Sequence, residues 1–132
     1  MTSSTGVVSI KVNRVAVALD CGGVVVNPNA VEAQLQGGVA YGLTAALWSQ
    51  ITWTSGKTDQ TNFNKYRMAK NGDMPVVSTT IVTPPAGFAG PTGGVGEVAV
   101  PGVAPAVATA WAKLTGTRIR TLPMFPGATM GD

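Results

Sequence analysis

Hydrophobic and polar residues alternate at the start of the chain. Over residues 7–20, VVSIKVNRVAVALD, the apolar Val8, Ile10 and Val12 interleave with Ser9, Lys11 and Asn13, which predicts one long strand. From Val15 to Leu19 the run is apolar on both faces, as expected of a strand buried within a sheet. Because the chain enters this strand almost directly, its pairing partner is expected upstream, as in a piece of a larger domain. Cys21-Gly22-Gly23 ends it. Asn27-Pro28 then marks a helix start, since Asn caps free N–H groups and Pro fits the first helical position. The helix is expected from Pro28 to about Trp48. It contains Gly37, Gly38 and Gly42, each costing about 1 kcal/mol against Ala. Gly38 and Gly42 share a face, which fits either close helix–sheet packing or close approach of a ligand.

Beyond this helix, 51–53 and 57–60 read as a hairpin around Ser55-Gly56, and 62–68 as a short irregular or single-turn segment. Residues 76–82 predict a strand with Ile81 and Val82 buried. Residues 83–97, TPPAGFAGPTGGVGE, are too rich in Pro and Gly for regular structure. A second helix is expected over 101–115, with Val107, Trp111 and Leu114 on one side and Gly116 as its stop. A closing strand is expected over 118–122. No internal repeat is visible, and the pattern reads as α+β: a mixed sheet with two main helices, in a single partial domain spanning 1–132.

Composition sharpens this picture. Of 132 residues 45% are hydrophobic and only 11% charged, well below the roughly 25% usual for a soluble domain. So little polar material suits a piece that packs against other protein. The net charge of +3 comes from scattered cations, with Arg118 and Arg120 the nearest to a cluster, on one face of the predicted strand. Without clustering and interleaved aromatics, a nucleic-acid footprint is not expected. The single cysteine and the absence of histidine exclude an intrachain disulfide framework and a zinc cluster. The opening MTSSTG lacks a basic region followed by an apolar core, and no apolar run reaches bilayer length, so no membrane span and a cytoplasmic location are expected.

Four places could carry chemistry. Glu97, one of two glutamates, closes the loop Gly93-Gly94-Val95-Gly96 beside Val98 and Val100. Apolar surroundings would raise its pKa toward that of a general base; equally, it fits a helix start, where the dipole favours a carboxylate. Gln34 offers an amide donor and acceptor suited to a heterocycle edge, or simply a solvated helix face. Cys21 has no His to activate it and fits a buried structural thiol. Asn62, Tyr66 and Arg67 could anchor an anion or pack a loop.

The order of these segments resembles the C-terminal part of the molybdopterin-binding large subunit of the molybdenum hydroxylases, the xanthine dehydrogenase and aldehyde oxidase family. Residues 12–43 carry the Asp-Cys-Gly, Asn-Pro and Gln-x-x-Gly-Gly elements. NFNKYRM (62–68) is followed by Met74-Pro75, then PTGGVGE (91–97) and PAVATAWAKLTGTRIRTLP (105–123). Each motif alone is weak; four in order, over residues 8–123, are specific. The flavour is nearest to isoquinoline 1-oxidoreductase or aldehyde dehydrogenase beta subunits.

The resemblance implies that Glu97 is the general base that activates the oxygen, drawn from water, destined for an N-heterocycle or aldehyde. It also implies that Gln34, Gly37, Gly38, Gly93, Gly94, Val95 and Gly96 approach a molybdopterin cofactor in dinucleotide form. No protein metal ligand is implied, Cys21 included, since the pterin dithiolene holds the molybdenum. Electrons would leave through iron–sulfur clusters on a partner subunit. The upstream half of the molybdopterin subunit, or a separate chain supplying it, would complete the site for a small-molecule substrate. The chain departs from the family pattern at Val98, where Pro is common, and after the Tyr-Arg element, where the family often has an acidic residue and this chain reads Ala69-Lys70-Asn71-Gly72-Asp73. The alternative is a non-catalytic truncated fragment or a small interaction module packing on a partner chain. Alone, the chain is expected to be inactive, and poorly soluble or partly disordered for want of a partner to its first strand.

Overall fold

A computed structural model of the chain describes residues 10–126. Its elements are β1 (Arg14–Leu19), α1 (Pro28–Leu47), β2 (Trp53–Thr54), β3 (Lys57–Thr58), β4 (Val76–Ile81) and α2 (Val100–Thr115). The architecture is α+β. Parallel and antiparallel pairings are both present, in separate two-stranded sheets.

β1 pairs in parallel with β4, Arg14 opposite Val76 through Leu19 opposite Ile81. One partner of the first strand therefore lies downstream, in β4. The chain crosses from β1 to β4 through α1, as a parallel connection requires. The strand is also shorter than 7–20: residues 7–9 lie outside the described residues, and 10–13 run without a ladder. Nor is β1 buried on both faces. Val15, Val17 and Leu19 turn toward the helices, while Arg14, Ala16 and Ala18 are exposed. β4 alternates likewise, so Ile81 is half-buried and Val82 is exposed, against the expectation for both. With helices on one face only, a period of two persists even where the sequence is uniformly apolar.

α1 begins as expected: Asn27 Oδ1 accepts the Ala30 N–H at 3.2 Å, and Pro28 occupies the first turn. Its buried face (Leu35, Val39, Leu43, Ala46, Leu47) supplies most of the core, with Val103 and Val107 of α2 opposite. Gly38 and Gly42 are where the helices meet. A β-carbon on Gly38 would stand 2.9 Å from Ala99 Cβ, and one on Gly42 would stand 2.7 Å from Val103 Cγ2. The close approach is thus helix on helix rather than helix on sheet. α2 ends at Gly116, in the left-handed region at φ 75°, whose N–H bonds the Ala112 carbonyl at 2.9 Å. Val107 is buried and Trp111 half-buried, but Leu114 on the same side is 77% exposed.

β2 and β3 form the expected hairpin, in a shorter version, with positive φ at Ser55 and Gly56 as in a type I′ turn. Thr52 ties its base, donating its N–H to Gln60 and its hydroxyl to Asp59. Residues 63–65 form a single 3-10 turn capped by Asn62. The closing strand over 118–122 does not form. Past α2 the chain turns back, and the Met124 and Phe125 N–H groups bond the Ala46 and Leu47 carbonyls at 2.9 and 2.8 Å. The C-terminal carbonyls of α1, left without intrahelical partners, thus hold residues 124–125, just past the expected strand. Arg118 and Arg120 consequently share no strand face.

Candidate functional site

The C-terminal end of the β1/β4 pair, the second turn of α1 and the entry to α2 converge on one corner. What brings them together is a backbone zipper between residues 21–24 and 91–93. The Gly23 N–H bonds the Pro91 carbonyl at 3.2 Å, the Gly93 N–H bonds the Cys21 carbonyl at 2.7 Å, and Thr92 Oγ1 donates to the Val24 carbonyl at 3.1 Å. Gly22 and Thr92 form an isolated antiparallel bridge. The approach is tight: a β-carbon on Gly22 would lie 2.6 Å from the Pro91 carbonyl oxygen, and the Gly22 φ of +77° disfavours a side chain in any case. The irregular stretch 83–97 is therefore anchored against the end of β1 near its C-terminal end, at residues 91–93.

From this anchor the loop carries Gly93, Gly94 and Gly96, all exposed, past α1 and into α2. The Glu97 carbonyl accepts the Val100 N–H at 3.0 Å, which places Glu97 in a turn three residues before α2. Gln34 is exposed on α1 and reaches toward the same loop: a β-carbon on Gly96 would stand 3.8 Å from Gln34 Oε1. The fold thus brings Gln34 beside the Gly96-Glu97 step, although they lie 62 residues apart (96 − 34). Val95 is half-buried and packs on the Leu19, Cys21 and Leu35 cluster, so it fastens the loop while its glycine neighbours face outward. Gly38 is taken up by packing on Ala99. Gly37 is exposed, with nothing within 4 Å of a β-carbon placed on it.

Two expectations need correction. Glu97 is exposed, with Val98 also exposed and Val95 and Val100 only half-buried. The apolar enclosure expected around the carboxylate is not supplied by the described residues. Arg67 is not an available anion clamp. It is 4% exposed, stacks over the Trp48 ring at 4.1 Å, pairs with Asp73 at 2.6 Å and donates to the Met68 carbonyl. Asp73 Oδ2 also accepts the Lys70 N–H at 2.6 Å. Burial pushes the Asp73 carboxyl up. The Arg67 and Lys70 hydrogen bonds and the charges of both residues outweigh that, and hold it below the usual carboxylate value. Tyr66 donates its hydroxyl to Ser49 at 3.0 Å, so Tyr66 and Arg67 serve packing, while Asn62 is exposed and caps the 3-10 turn. Cys21 is buried. What the sequence did not reveal is this buried Arg67–Trp48–Asp73 group; the arginine's stacking partner is 19 residues away (67 − 48) and has no local signal.

An exposed glycine loop with open space over Gly94, held rigidly by the zipper and flanked by an amide, suits a flat heterocycle or an anionic group approaching the backbone. Among the described residues, no group of three or more His, Cys, Asp or Glu could hold a metal ion, so a metal here would have to arrive with its own ligands.

Comparison with known proteins gives the family. The molybdopterin cofactor-binding domain family matches residues 4–75, more than half of the chain, and the chain belongs to that family. It is 33% identical over 118 residues to the isoquinoline 1-oxidoreductase subunit beta of Brevundimonas diminuta, covering 89% of this chain and 14% of that protein. It is 29% identical over 126 residues to a membrane-bound, pyrroloquinoline-quinone aldehyde dehydrogenase of Gluconacetobacter polyoxogenes, covering 93% of this chain and 15% of that protein. Among solved structures, quinoline 2-oxidoreductase from Pseudomonas putida 86 superposes with a TM-score of 0.77 at 26% identity, covering 92% of this chain and 16% of that one. A Cu,Mo-CO dehydrogenase superposes at 0.72 and 24% identity, a likeness of fold, over 89% of this chain and 15% of that one. The chain thus spans about a seventh of the length of the relatives it matches.

Proposed function

We propose that this chain forms one wall of the cofactor site of a molybdopterin-dependent oxidoreductase that hydroxylates an N-heterocycle or oxidises an aldehyde with water as oxygen source. The observation that carries this reading is the juxtaposition of Gln34 with Gly96-Glu97 on a loop zippered to the end of β1. Membership of the family and the names of the relatives support it.

Bound molybdopterin supplies the two-electron redox chemistry. This chain's own residues bind, orient and move a proton. The Gln34 amide can donate to and accept from the cofactor's polar edge. The exposed backbone at Gly93, Gly94 and Gly96 allows close approach of the pterin or of the phosphates of a dinucleotide form, with Val95 anchoring the loop. Gly37 leaves open surface one turn from Gln34, and Gly38 sets the spacing of α1 and α2. Glu97 is the general base. Its carboxylate takes the proton from the attacking oxygen, and its enclosure is completed by the remainder of the site, from the upstream half of the subunit or a separate chain supplying it. Iron–sulfur clusters on a partner subunit receive the electrons. A cytoplasmic location belongs to the same proposal. Among the described residues, no helix is long and apolar enough to cross a membrane, and cell fractionation with an antibody against the chain checks the location itself.

A second reading, a non-catalytic fragment or interaction module, is favoured by the exposure of Glu97. Co-expressing the chain with the B. diminuta subunit trimmed of its matching stretch, then measuring molybdenum in the purified products, separates the two. Metal in the complex supports the cofactor site. A complex without metal supports the module.

A further inference from the structure

The helix layer of this fold is wider than its sheet. α1 and α2 lie side by side at the close Gly38–Ala99 and Gly42–Val103 contacts. Two helices packed at about 8–10 Å cover roughly four strands spaced about 4.8 Å apart, yet among the described residues the parallel sheet has two. α1 lies on β4, whereas α2 faces a groove of about 460 Å³ along β1. Consecutive residues 10–16 line that groove, so it runs along the strand's edge rather than over one face. Its walls are apolar: Ile10, Val12 and Val15 on one side, Val107, Trp111 and Leu114 on the other.

Among the described residues, no strand pairs with this edge. The Asn13 and Leu19 carbonyls accept the Val76 and Val82 N–H groups of the β4 side. In a parallel ladder alternate residues face each neighbour, so the N–H and C=O groups of Arg14, Ala16 and Ala18 point away from β4. All three residues are exposed, and two of them carry only a methyl group that would not hinder an incoming strand.

We propose that the free edge of β1 is a strand-addition site. Its occupant is an extended segment from the remainder of the larger subunit, with apolar residues at alternate positions that fill the groove under α2. The occupant rests on the reading that this chain works within such a subunit; the edge and the groove do not. Main-chain bonds to Ala16 and Ala18 would provide affinity, and the alternating side chains between Val15 and Trp111 would set the register. The lone Lys11 and Arg14 along the edge favour a segment with flanking carboxylates.

The test uses the full chain and an array of overlapping twelve-residue peptides covering the B. diminuta isoquinoline 1-oxidoreductase beta subunit outside its matching stretch. Capture of a peptide of alternating apolar pattern is expected. In solution that peptide should slow exchange of the Ala16 and Ala18 amides at least tenfold and leave the Val15 and Val17 amides, already bonded to β4, unchanged. Ala16→Pro removes an edge donor without touching the β4 ladder, and Leu114→Glu charges the groove at an exposed position; each should weaken capture at least tenfold. Capture of no alternating peptide, or capture insensitive to Leu114→Glu, overturns the proposal. So does a peptide-free dimer in which the Ala16 and Ala18 amides are already protected, since that assigns the edge to a second copy. No metal enters this assay, so a failed cofactor reading, seen as a molybdenum-free complex, stays distinct from a failed strand site.

Discussion

The α1–α2 contact makes one substitution pair unusually informative, because the same change in the same helix should have opposite signs. At Gly42, a β-carbon would meet Val103 Cγ2 at 2.7 Å, Val103 Cβ at 2.8 Å and the Val100 carbonyl oxygen at 2.9 Å. Ordinary contacts begin about 0.5 Å further out, and two of these atoms cannot rotate away, being backbone or fixed to it. Relief therefore requires α2 to move, and three contacts this short put the overpacking cost in the upper part of the usual range, about 2–3 kcal/mol. Against it stands the gain in helix propensity from Gly to Ala, about 1 kcal/mol. Gly42→Ala should thus lose about 1–2 kcal/mol, lowering the melting temperature by about 3–8 °C for a chain of this size. At Gly37, with nothing within 4 Å, only the propensity gain remains, so Gly37→Ala should raise it by about 3 °C. Thermal melts of the purified variants followed by circular dichroism at 222 nm read both. A Gly42→Ala chain that melts at or above the parent would refute the close-packing argument. Because α2 begins three residues after Glu97, Gly42→Ala should also lower cofactor retention in the assembled enzyme.

Other consequences are equally direct. Glu97→Gln in the assembled enzyme should abolish turnover while molybdenum content stays at the parent level; loss of the metal instead would make Glu97 a structural residue. Arg67→Ala removes the buried partner of Asp73 and the stack on Trp48. It should cost about 2–4 kcal/mol in urea denaturation, and Arg67→Lys should recover only part of that. The Asp73 carboxyl is held below its unfolded value near 3.8, so its contribution is present above that pH and is lost as pH falls through the lower folded value. Acid titration of Asp73→Asn should show less loss of stability below pH 4 than the parent. Asn27→Ala should cost about 1 kcal/mol, because the Ala30 N–H loses its cap.

Local chemistry made much of this fold legible. Asn27-Pro28 placed the start of α1, Gly116 the end of α2, and Ser55-Gly56 the hairpin, since each rests on a backbone conformation that its own residues impose. Glu97 and Gln34 stood out as candidates from their neighbours and from a family resemblance. Their meeting at Gly96 did not follow from either segment, because it depends on a zipper between residues about 70 positions apart. The strand expected over 118–122 failed for a related reason. A β-rich composition there competes with open carbonyls at the end of α1, and tertiary proximity decided the outcome.

Taken by itself, then, the sequence determined most of the element types, the ends of both helices to within a residue, the family, and which residues were candidates for chemistry. Those properties depend on side-chain size, backbone preference and short-range order. Only the tertiary structure decided that β1 pairs with β4 downstream, that Gly38 and Gly42 seat one helix on another, and that Arg67 is spent on Trp48 and Asp73. It likewise decided that Glu97 stands exposed. Each is a contact between distant segments, where the free energy of packing and of hydrogen-bonding exposed backbone groups outweighs what any local pattern prefers.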